Sequence, residues 1–217
     1  YWQTGKPYLD GVELILMADA TTAVLAFQRG EAQVTISLSA KDYSELQKTG
    51  KYKFGLAPAG TYILAGDSKN ADSPFADVKV RRAVAHAVDV ASITKALGYG
   101  VTYPSNQLFP SRSWAYNPAV VGYPYNQAKA KELLTQAGFP NVFNTTITYT
   151  STAFSDYLTA LQTNLREVGI YAQFNLTTAA LSAQLSTGGW KNGLLWSVLN
   201  LSAGTDATYA LVGNLGS

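Results

Sequence analysis

The 217-residue sequence contains no cysteine, one histidine and one methionine. Without cysteine the chain can form neither a disulfide nor a thiolate metal site, and it has no thiol nucleophile. Charged residues make up only 14% of the sequence, and 16 basic against 14 acidic residues leave a net charge of +2. So small an excess of positive charge gives no support for a nucleic-acid partner. No apolar run approaches the roughly 18–20 residues that a membrane span requires.

Residues for catalysis and metal binding are equally scarce. A Ser–His–Asp triad would have to use His86, the single histidine, and the surrounding sequence places it inside a helix, away from the apolar face. No His-x-x-x-His pair or carboxylate cluster is present to hold a metal ion. The glycines of Gly98–Gly100 and Gly188-Gly189 lack the strand–GxGxxG–helix context of a dinucleotide site. We therefore expect a protein that is not an enzyme and that needs neither a metal nor a cofactor.

Aromatic and neutral polar side chains take the place of the missing charges. The chain contains 14 Tyr, 8 Phe and 4 Trp, and only five residues of the segment Leu133–Ser217 are charged. Two interpretations are open for this segment. Either Ser, Thr, Asn and Gln make an ordinary solvated surface polar, or one face normally lies against another domain or a ligand. Aromatic side chains in neutral surroundings suit the capture of a small ligand.

Two segments have the strand–helix–strand pattern of a βαβ unit. The first consists of a strand Val12–Met17, a helix Thr21–Arg29 and a strand Gln33–Ser37. The second consists of a strand Thr145–Tyr149, a helix with an apolar stripe from Phe154 to Val168, and a strand Tyr171–Leu176. Further strands are predicted at Tyr52–Leu56, Thr61–Leu64 and Leu194–Leu199. The sequence therefore predicts an α/β domain with a mixed β-sheet flanked by helices.

The remaining helices are marked by N-cap residues and by closing glycines. They are predicted at Lys41–Lys48, from Asn126 to Ala137 and at Ala179–Ser186. A longer single helix is predicted from Asp77 to about Leu97, with an apolar face of Val80, Val84, Ala87 and Ala91. The segment Tyr99–Tyr125 contains four prolines and is rich in aromatics. We expect it to be an ordered loop that covers the core, and we expect Trp114 and Trp190 to be core residues.

Four stretches of the chain, in this order, resemble the extracellular solute-binding proteins of ABC importers, of the dipeptide, oligopeptide and nickel-binding type. The first comprises Tyr8–Val12, Asp19–Thr21 and Ala26–Glu31, and the second comprises Phe75–Val84 and Ala87–Asp89. The third comprises Trp114–Pro118, Tyr125–Leu134 and Ala137-Gly138, and the fourth comprises Leu165–Ile170, Gly188–Trp190 and Trp196. Together they span almost the whole sequence.

The resemblance implies a periplasmic-binding-protein-like (type II) fold, with residues 1–217 forming one lobe of a two-lobed protein. The second lobe of the same polypeptide would be missing, and both ends of the chain would cross between lobes. Such proteins capture a small-molecule or peptide solute and deliver it to ABC permease subunits in the membrane by lobe closure. The resemblance also implies an extracytoplasmic location, in the periplasm or lipid-anchored on the outer face of the cell membrane.

The sequence departs from the family pattern where charged ligand groups would be bound. In the peptide-binding branch, a Trp-x-x-Asp pattern supplies a carboxylate for the α-ammonium of the peptide, but here Leu199 follows Trp196 at that spacing. The dipeptide branch also uses an arginine in the stretch that matches Thr150–Phe154, which has no cation here. Because an unpaired buried charge is costly, we expect the ligand to be uncharged or internally capped. A longer peptide held through its backbone and an oligosaccharide both fit.

The resemblance places the ligand contacts at the ends of the C-terminal strands. We refer to these residues as the contact strip, which consists of Ser151, Thr152, Phe154, Thr177, Trp196, Ser197 and Asn200. Trp196 is expected to stack against the ligand, and the Asn200 amide to offer a hydrogen bond in place of the missing carboxylate. The main alternative from another class is a ligand-sensing domain of a regulator.

Overall fold

The computed structural model describes residues 4–6, 8–17, 19–36, 38–55, 60–109, 111, 114–190 and 192–199. The chain divides into two compact units, Tyr1–Tyr52 and Lys53–Ser217. The sheet and both clusters of buried apolar residues belong to the second unit. The prediction of a single lobe over residues 1–217 is not tested by this division and stays a prediction.

The first unit contains the two helices α1 (Ala20–Gln28) and α2 (Ala40–Lys48). Each begins at a side-chain cap, because the Asp19 carboxylate accepts the Thr22 N–H at 2.7 Å and the Ser39 hydroxyl accepts the Asp42 N–H at 3.1 Å. Both helices lie within a residue of their predicted bounds at each end.

The strands predicted for the first unit are wrong over the residues that the structure describes. Residues 12–17 and 33–36 form no strand, so the first βαβ unit does not exist, and Ser37 lies outside the described residues. The strand predicted at Tyr52–Leu56, which spans the boundary between the units, is also absent over residues 52–55, and Leu56 lies outside the described residues. The apolar side chains of residues 12–16 point into solvent, with Leu14 83% and Leu16 96% exposed. Their alternation is typical of a strand, but no neighbouring strand pairs with them here.

The second unit contains a four-stranded sheet in the order β1-β4-β2-β3. Its strands are β1 (Thr61–Gly66), β2 (Phe143–Tyr149), β3 (Ile170–Leu176) and β4 (Gly193–Leu199). β2 pairs in parallel with both β3 and β4, whereas β1 pairs antiparallel with β4. The predicted mixed sheet and the second βαβ unit are therefore confirmed.

The helices of the second unit are α3 (Val78–Ala87), α4 (Val90–Leu97), α5 (Gln127–Gln136), α6 (Ser155–Glu167) and α7 (Ala179–Gly188). Single turns of 3-10 helix cover Pro74–Ala76 and Thr152–Phe154. The stripe of α6 is buried as predicted, since Leu158, Leu161 and Leu165 join one apolar cluster with residues of α3, α5 and the sheet. This cluster fixes α6 against the sheet, and with it the chain that enters the helix from β2.

The segment predicted as one helix from Asp77 to Leu97 is two helices. Val88 is extended at φ −96° and ψ 119°, and Asp89 caps α4 by accepting the Ser92 N–H at 3.0 Å. The Asp89 N–H in turn donates to the Asn164 side-chain oxygen at 2.9 Å. Ala91, predicted on the buried face, is therefore exposed on the second helix.

The described parts of the loop 99–125 form neither helix nor strand, as predicted, but much of it does not cover the core. Trp114 is 72% exposed and Tyr103 68% exposed, so the prediction that Trp114 is a core residue is wrong. Trp190 is half-buried, and its buried indole N–H has no hydrogen-bond partner among the described residues. His86 lies within the helix α3, as predicted, and its Nδ1 is 2.7 Å from the Pro124 carbonyl oxygen.

Candidate functional site

The carboxyl ends of β2, β3 and β4 meet at one edge of the sheet, which we call the carboxyl edge. Tyr149 at the end of β2 is level with Leu176 at the end of β3. β4 continues to Leu199, beyond its last pair with β2 at Leu195. Ligands of open α/β sheets bind outside this edge. Four described members of the contact strip, Ser151, Thr152, Phe154 and Thr177, follow the ends of β2 and β3, and Trp196 and Ser197 lie within β4 just beyond its last pair with β2.

Three aromatic rings form a cluster at this edge, which we call the aromatic corner: Tyr62, Phe154 and Trp196. The rings of Tyr62 and Trp196 are stacked, with centroids 5.5 Å apart and planes 5° apart. Phe154 is tilted against both, with centroid distances of 4.9 Å to Tyr62 and 6.0 Å to Trp196. Offset stacks and tilted pairs at these distances are favourable. Two predicted strip residues are thus in contact, and a third aromatic joins them.

Strand pairing explains why Tyr62 reaches this position. β1 runs antiparallel to β4, so its first residues lie beside the last residues of β4. Trp196 is opposite Leu64, and Tyr62 is two residues from Leu64 on the same face of the sheet. The sequence did not reveal Tyr62, because only this pairing between segments more than a hundred residues apart brings the two rings together. Its one local signal is an aromatic residue at the start of a predicted strand.

The turn after β2 positions Phe154. The Ser151 hydroxyl accepts the Ala153 N–H at 3.3 Å, which stabilises the single 3-10 turn Thr152–Phe154. The Ser155 hydroxyl then donates to the Thr152 carbonyl at 2.7 Å, where α6 begins. Ser151 and Thr152 therefore shape the turn that holds the Phe154 ring in the aromatic corner.

The remaining strip residues are divided between the faces of the sheet. Because successive strand residues point to opposite faces, Ser197 points away from Trp196, onto the face of Thr148 and Ile63. The Thr177 N–H donates to the Tyr149 carbonyl at 2.9 Å. The Thr177 hydroxyl oxygen is buried and has no hydrogen-bond partner within the described part of the chain. Asn200 lies outside the described residues.

Among the described residues, the strand ends and turns at the carboxyl edge carry no ionisable side chain other than tyrosine. The stretches 60–64, 149–155, 174–178 and 194–199 contain no Asp, Glu, Lys, Arg or His. Burial, and then the neighbouring Tyr157, raises the pKa of Tyr62 above its ordinary value of 10.0. The Tyr62 phenol therefore stays neutral at physiological pH and can donate a hydrogen bond.

Leu199 occupies the position where the family resemblance expects a carboxylate. It is 5% exposed and packs with Ile63, Leu108 and Phe109 in a small apolar cluster. A charged ligand group at this point would face aliphatic and aromatic carbon without a counter-ion. The geometry is suited to neutral polar and ring-bearing groups.

Two surface depressions lie elsewhere. A groove of about 500 Å³ between α4 and α6 is lined by residues that include Ile93, Leu97 and Asp156. A smaller depression of about 340 Å³ lies near the amino ends of β2 and β3. Neither is lined by a residue of the contact strip.

The described residues contain no group of three or more His, Cys, Asp or Glu side chains that could hold a metal ion. Within the same residues, no helix is both long and apolar enough to cross a bilayer.

The sequence matches the model of a known protein family. Residues 1–211 match the family described as "Bacterial extracellular solute-binding proteins, family 5 Middle". The chain is 31% identical to the glutathione-binding protein GsiB of Escherichia coli K12 over 187 residues, 84% of this chain and 36% of that protein. It is 32% identical to the heme-binding protein A of Haemophilus influenzae over 145 residues, 67% of this chain and 26% of that protein.

A solved structure with the same fold is the periplasmic binding protein DppA of Helicobacter pylori, in complex with the peptide STSA. The two superpose with a TM-score of 0.78 at 24% identity, over 92% of this chain and 38% of that one. The likeness confirms the predicted type II fold. The chain spans about a quarter to a third of the length of the curated relatives that it matches.

Proposed function

Because the chain belongs to the family 5 bacterial extracellular solute-binding proteins, we propose that it forms the solute-binding part of a receptor for an ABC importer. The receptor captures a peptide-like or other small polar solute and delivers it to the membrane permease by closure of two lobes. The solute contacts are the contact strip, Asn200 included, at the carboxyl edge. The site lies outside the cytoplasm, in the periplasm or held by a lipid anchor on the outer face of the membrane.

The observation that carries the proposal is the neutral, aromatic carboxyl edge. Phe154 and Trp196 lie together there, and the buried Thr177 hydroxyl has no partner among the described residues. Aromatic side chains in neutral surroundings suit the capture of a small polar solute. That residues 1–217 contribute one lobe stays part of the proposal.

The peptide-like character of the solute is supported by two of the similar proteins. GsiB is named for glutathione, a tripeptide, and the DppA structure holds the peptide STSA. In this chain the absence of charge at the carboxyl edge favours a solute whose contacts on this side are neutral. A longer peptide, held here through its backbone, meets that requirement better than a free dipeptide.

Calorimetric titration tests the proposal. The longest native polypeptide that contains this chain is titrated with glutathione, with an unprotected dialanine, and with tri- and tetrapeptides that are blocked at both ends. We expect the blocked peptides to bind and dialanine not to bind at submicromolar concentration. Mass spectrometry of solutes that co-purify with the same polypeptide provides an independent measurement. Submicromolar binding of dialanine would contradict the neutral-solute proposal, and hydrolase or transferase activity would contradict the receptor proposal.

A further inference from the structure

We propose that Tyr62, and not Trp196, presents the aromatic surface on which the solute stacks, and that the solute carries a neutral ring. The inference rests on the proposed function of the carboxyl edge as a solute site. It adds a specificity-determining residue outside the contact strip and gives Trp196 a different part, that of the support beneath Tyr62.

The first step is that Trp196 is already covered. Tyr62 lies parallel to the indole at a centroid distance of 5.5 Å, in an offset stack that covers part of one face of the indole ring. Phe154 lies against Trp196 from another direction, with centroids 6.0 Å apart, and Trp196 also packs against the main apolar cluster. A solute could stack on the covered part of Trp196 only after displacing Tyr62.

The second step is that Tyr62 is accessible and held in place. It is 45% exposed, whereas Trp196 and Phe154 are half-buried. Contacts with both of these rings restrict the Tyr62 ring, and its backbone is paired in a strand. A ring that is ordered before binding loses little conformational entropy when a solute stacks on it. Tyr62 is thus a rigid, exposed aromatic surface at the edge where the solute is proposed to bind.

The third step concerns the chemistry of the solute. No charged side chain lies in the four stretches 60–64, 149–155, 174–178 and 194–199 of the carboxyl edge, so a charged solute group would find no counter-ion in them. The phenol of Tyr62 remains a neutral hydrogen-bond donor beside the stacking surface. A flat ring with an apolar face and polar groups at its rim matches this surface. Such a ring is present both in an aromatic amino-acid side chain and in a pyranose sugar.

The experiment compares two ring-bearing probes with a ring-free one. The probes are acetyl-Ala-Phe-Ala-amide, cellotriose and acetyl-Ala-Ala-Ala-amide, titrated calorimetrically into the longest native polypeptide that contains this chain. The variants are Tyr62→Ala, Tyr62→Leu and Tyr62→Phe. Tyr171→Ala is the matched control, because Tyr171 is a 40% exposed tyrosine on the other edge strand and contacts Arg166. Near-ultraviolet circular dichroism establishes that each variant is folded.

We expect the wild type to bind at least one ring-bearing probe more tightly than the ring-free peptide. Tyr62→Ala and Tyr62→Leu should each weaken that binding about tenfold, as the loss of a stacked pair implies, with little effect on the ring-free peptide. Tyr62→Phe keeps the ring and should stay within about threefold of the wild type, and Tyr171→Ala should be unchanged. The probe that loses affinity identifies the ring as a side chain or a sugar.

Three results would overturn the inference. If Tyr62→Leu binds the ring-bearing probes like the wild type, or weakens the ring-free peptide equally, Tyr62 does not recognise a ring, and the receptor function still stands. If the wild type binds only the ring-free peptide, the solute carries no such ring, and again only the inference fails. If the wild type binds none of the probes and carries no co-purifying solute, the proposed function fails together with the inference.

Discussion

Leu199 is a single side chain that defines the chemistry of the carboxyl edge. A carboxylate at this position would serve a peptide ammonium, whereas Leu199 extends an apolar cluster with Ile63, Leu108 and Phe109. The loop 99–125 thus contributes to the edge through its residues 108 and 109 rather than through Trp114. This surface is therefore apolar at the position where the family resemblance predicts a charged side chain.

Replacing Leu199 by Asp should destabilise the protein rather than create a peptide-ammonium site. The change removes buried methyl groups and places a carboxyl group among apolar neighbours, so the free energy of unfolding should fall by at least about 2 kcal/mol. Urea denaturation at pH 7 measures the loss. Leu199→Met is the control and should lose less than about 1.5 kcal/mol. A fully stable Leu199→Asp variant that binds dialanine would show that the site accepts charge.

The residues of the aromatic corner differ in how far the sequence could reveal their positions. The positions of Phe154 and Trp196 at the carboxyl edge could be predicted, because the family resemblance and the predicted strands place them there, and their part in solute binding stays a prediction. The position of Tyr62 beside them could not, since it depends on the pairing of β1 with β4. That pairing involves residues 61–66 and 194–199, and no local pattern specifies which distant strand is the neighbour.

Among the elements, α3 and α4 are separated by the extended residue Val88 and by Asp89, which caps α4. Asp89 accepts a hydrogen bond from the Ser92 N–H at 3.0 Å, and the apolar periodicity of the segment continues across the break. For this reason a periodicity argument predicts one helix where there are two. The local signal was the N-cap pattern of Asp89 followed three residues later by Ser92. The helix α6 was predicted correctly because its apolar stripe and the glycine that follows it, Gly169, are local signals.

Replacing Asp89 by Ala should lower the free energy of unfolding by about 1 kcal/mol at pH 7, because α4 loses its cap. The Ser92 side chain and backbone, in that order, hold the pKa of Asp89 below its ordinary value of 3.8. A lowered pKa in the folded state means that the cap contributes stability above about pH 4 and loses it as the pH falls through the lowered pKa.

Asp89→Asn is the matched control, since asparagine caps a helix about as well and does not titrate. Unfolding free energies measured by urea denaturation between pH 6 and pH 2 should fall less steeply in Asp89→Asn than in the wild type. Equal slopes in the two proteins would contradict a stabilising role for the ionised carboxylate.

At the scale of the whole molecule, the two units differ in how their apolar residues are placed. In the second unit the buried apolar residues form one large cluster that joins helices and sheet, with a smaller cluster around Leu199. The first unit has only Ala26 and Leu46 as buried apolar residues among those described, and its residues 12–16 expose Leu14 and Leu16. Most of the folding free energy is therefore expected to reside in the second unit.

Removing residues 1–52 tests this distribution. We expect residues 53–217 to unfold cooperatively, with a free energy of unfolding within about 1 kcal/mol of the complete 217-residue chain, because the buried clusters are retained. The shortened chain should also bind less of a fluorescent hydrophobic dye, because the exposed leucines of the first unit are gone. Urea denaturation and dye titration measure the two effects. Loss of the cooperative transition would show that the first unit stabilises the second.

The antiparallel pairing of β1 with β4 brings two distant parts of the chain side by side. Thr61 lies opposite Leu199, and a Cβ added to Gly60 would clash with the Leu199 carbonyl oxygen, so only glycine fits there. The segment of chain between residues 60 and 199 therefore begins and ends at neighbouring positions of the sheet. Because the two ends of this segment are adjacent, its insertion into a surface loop of another protein would require little separation of the ends of that loop.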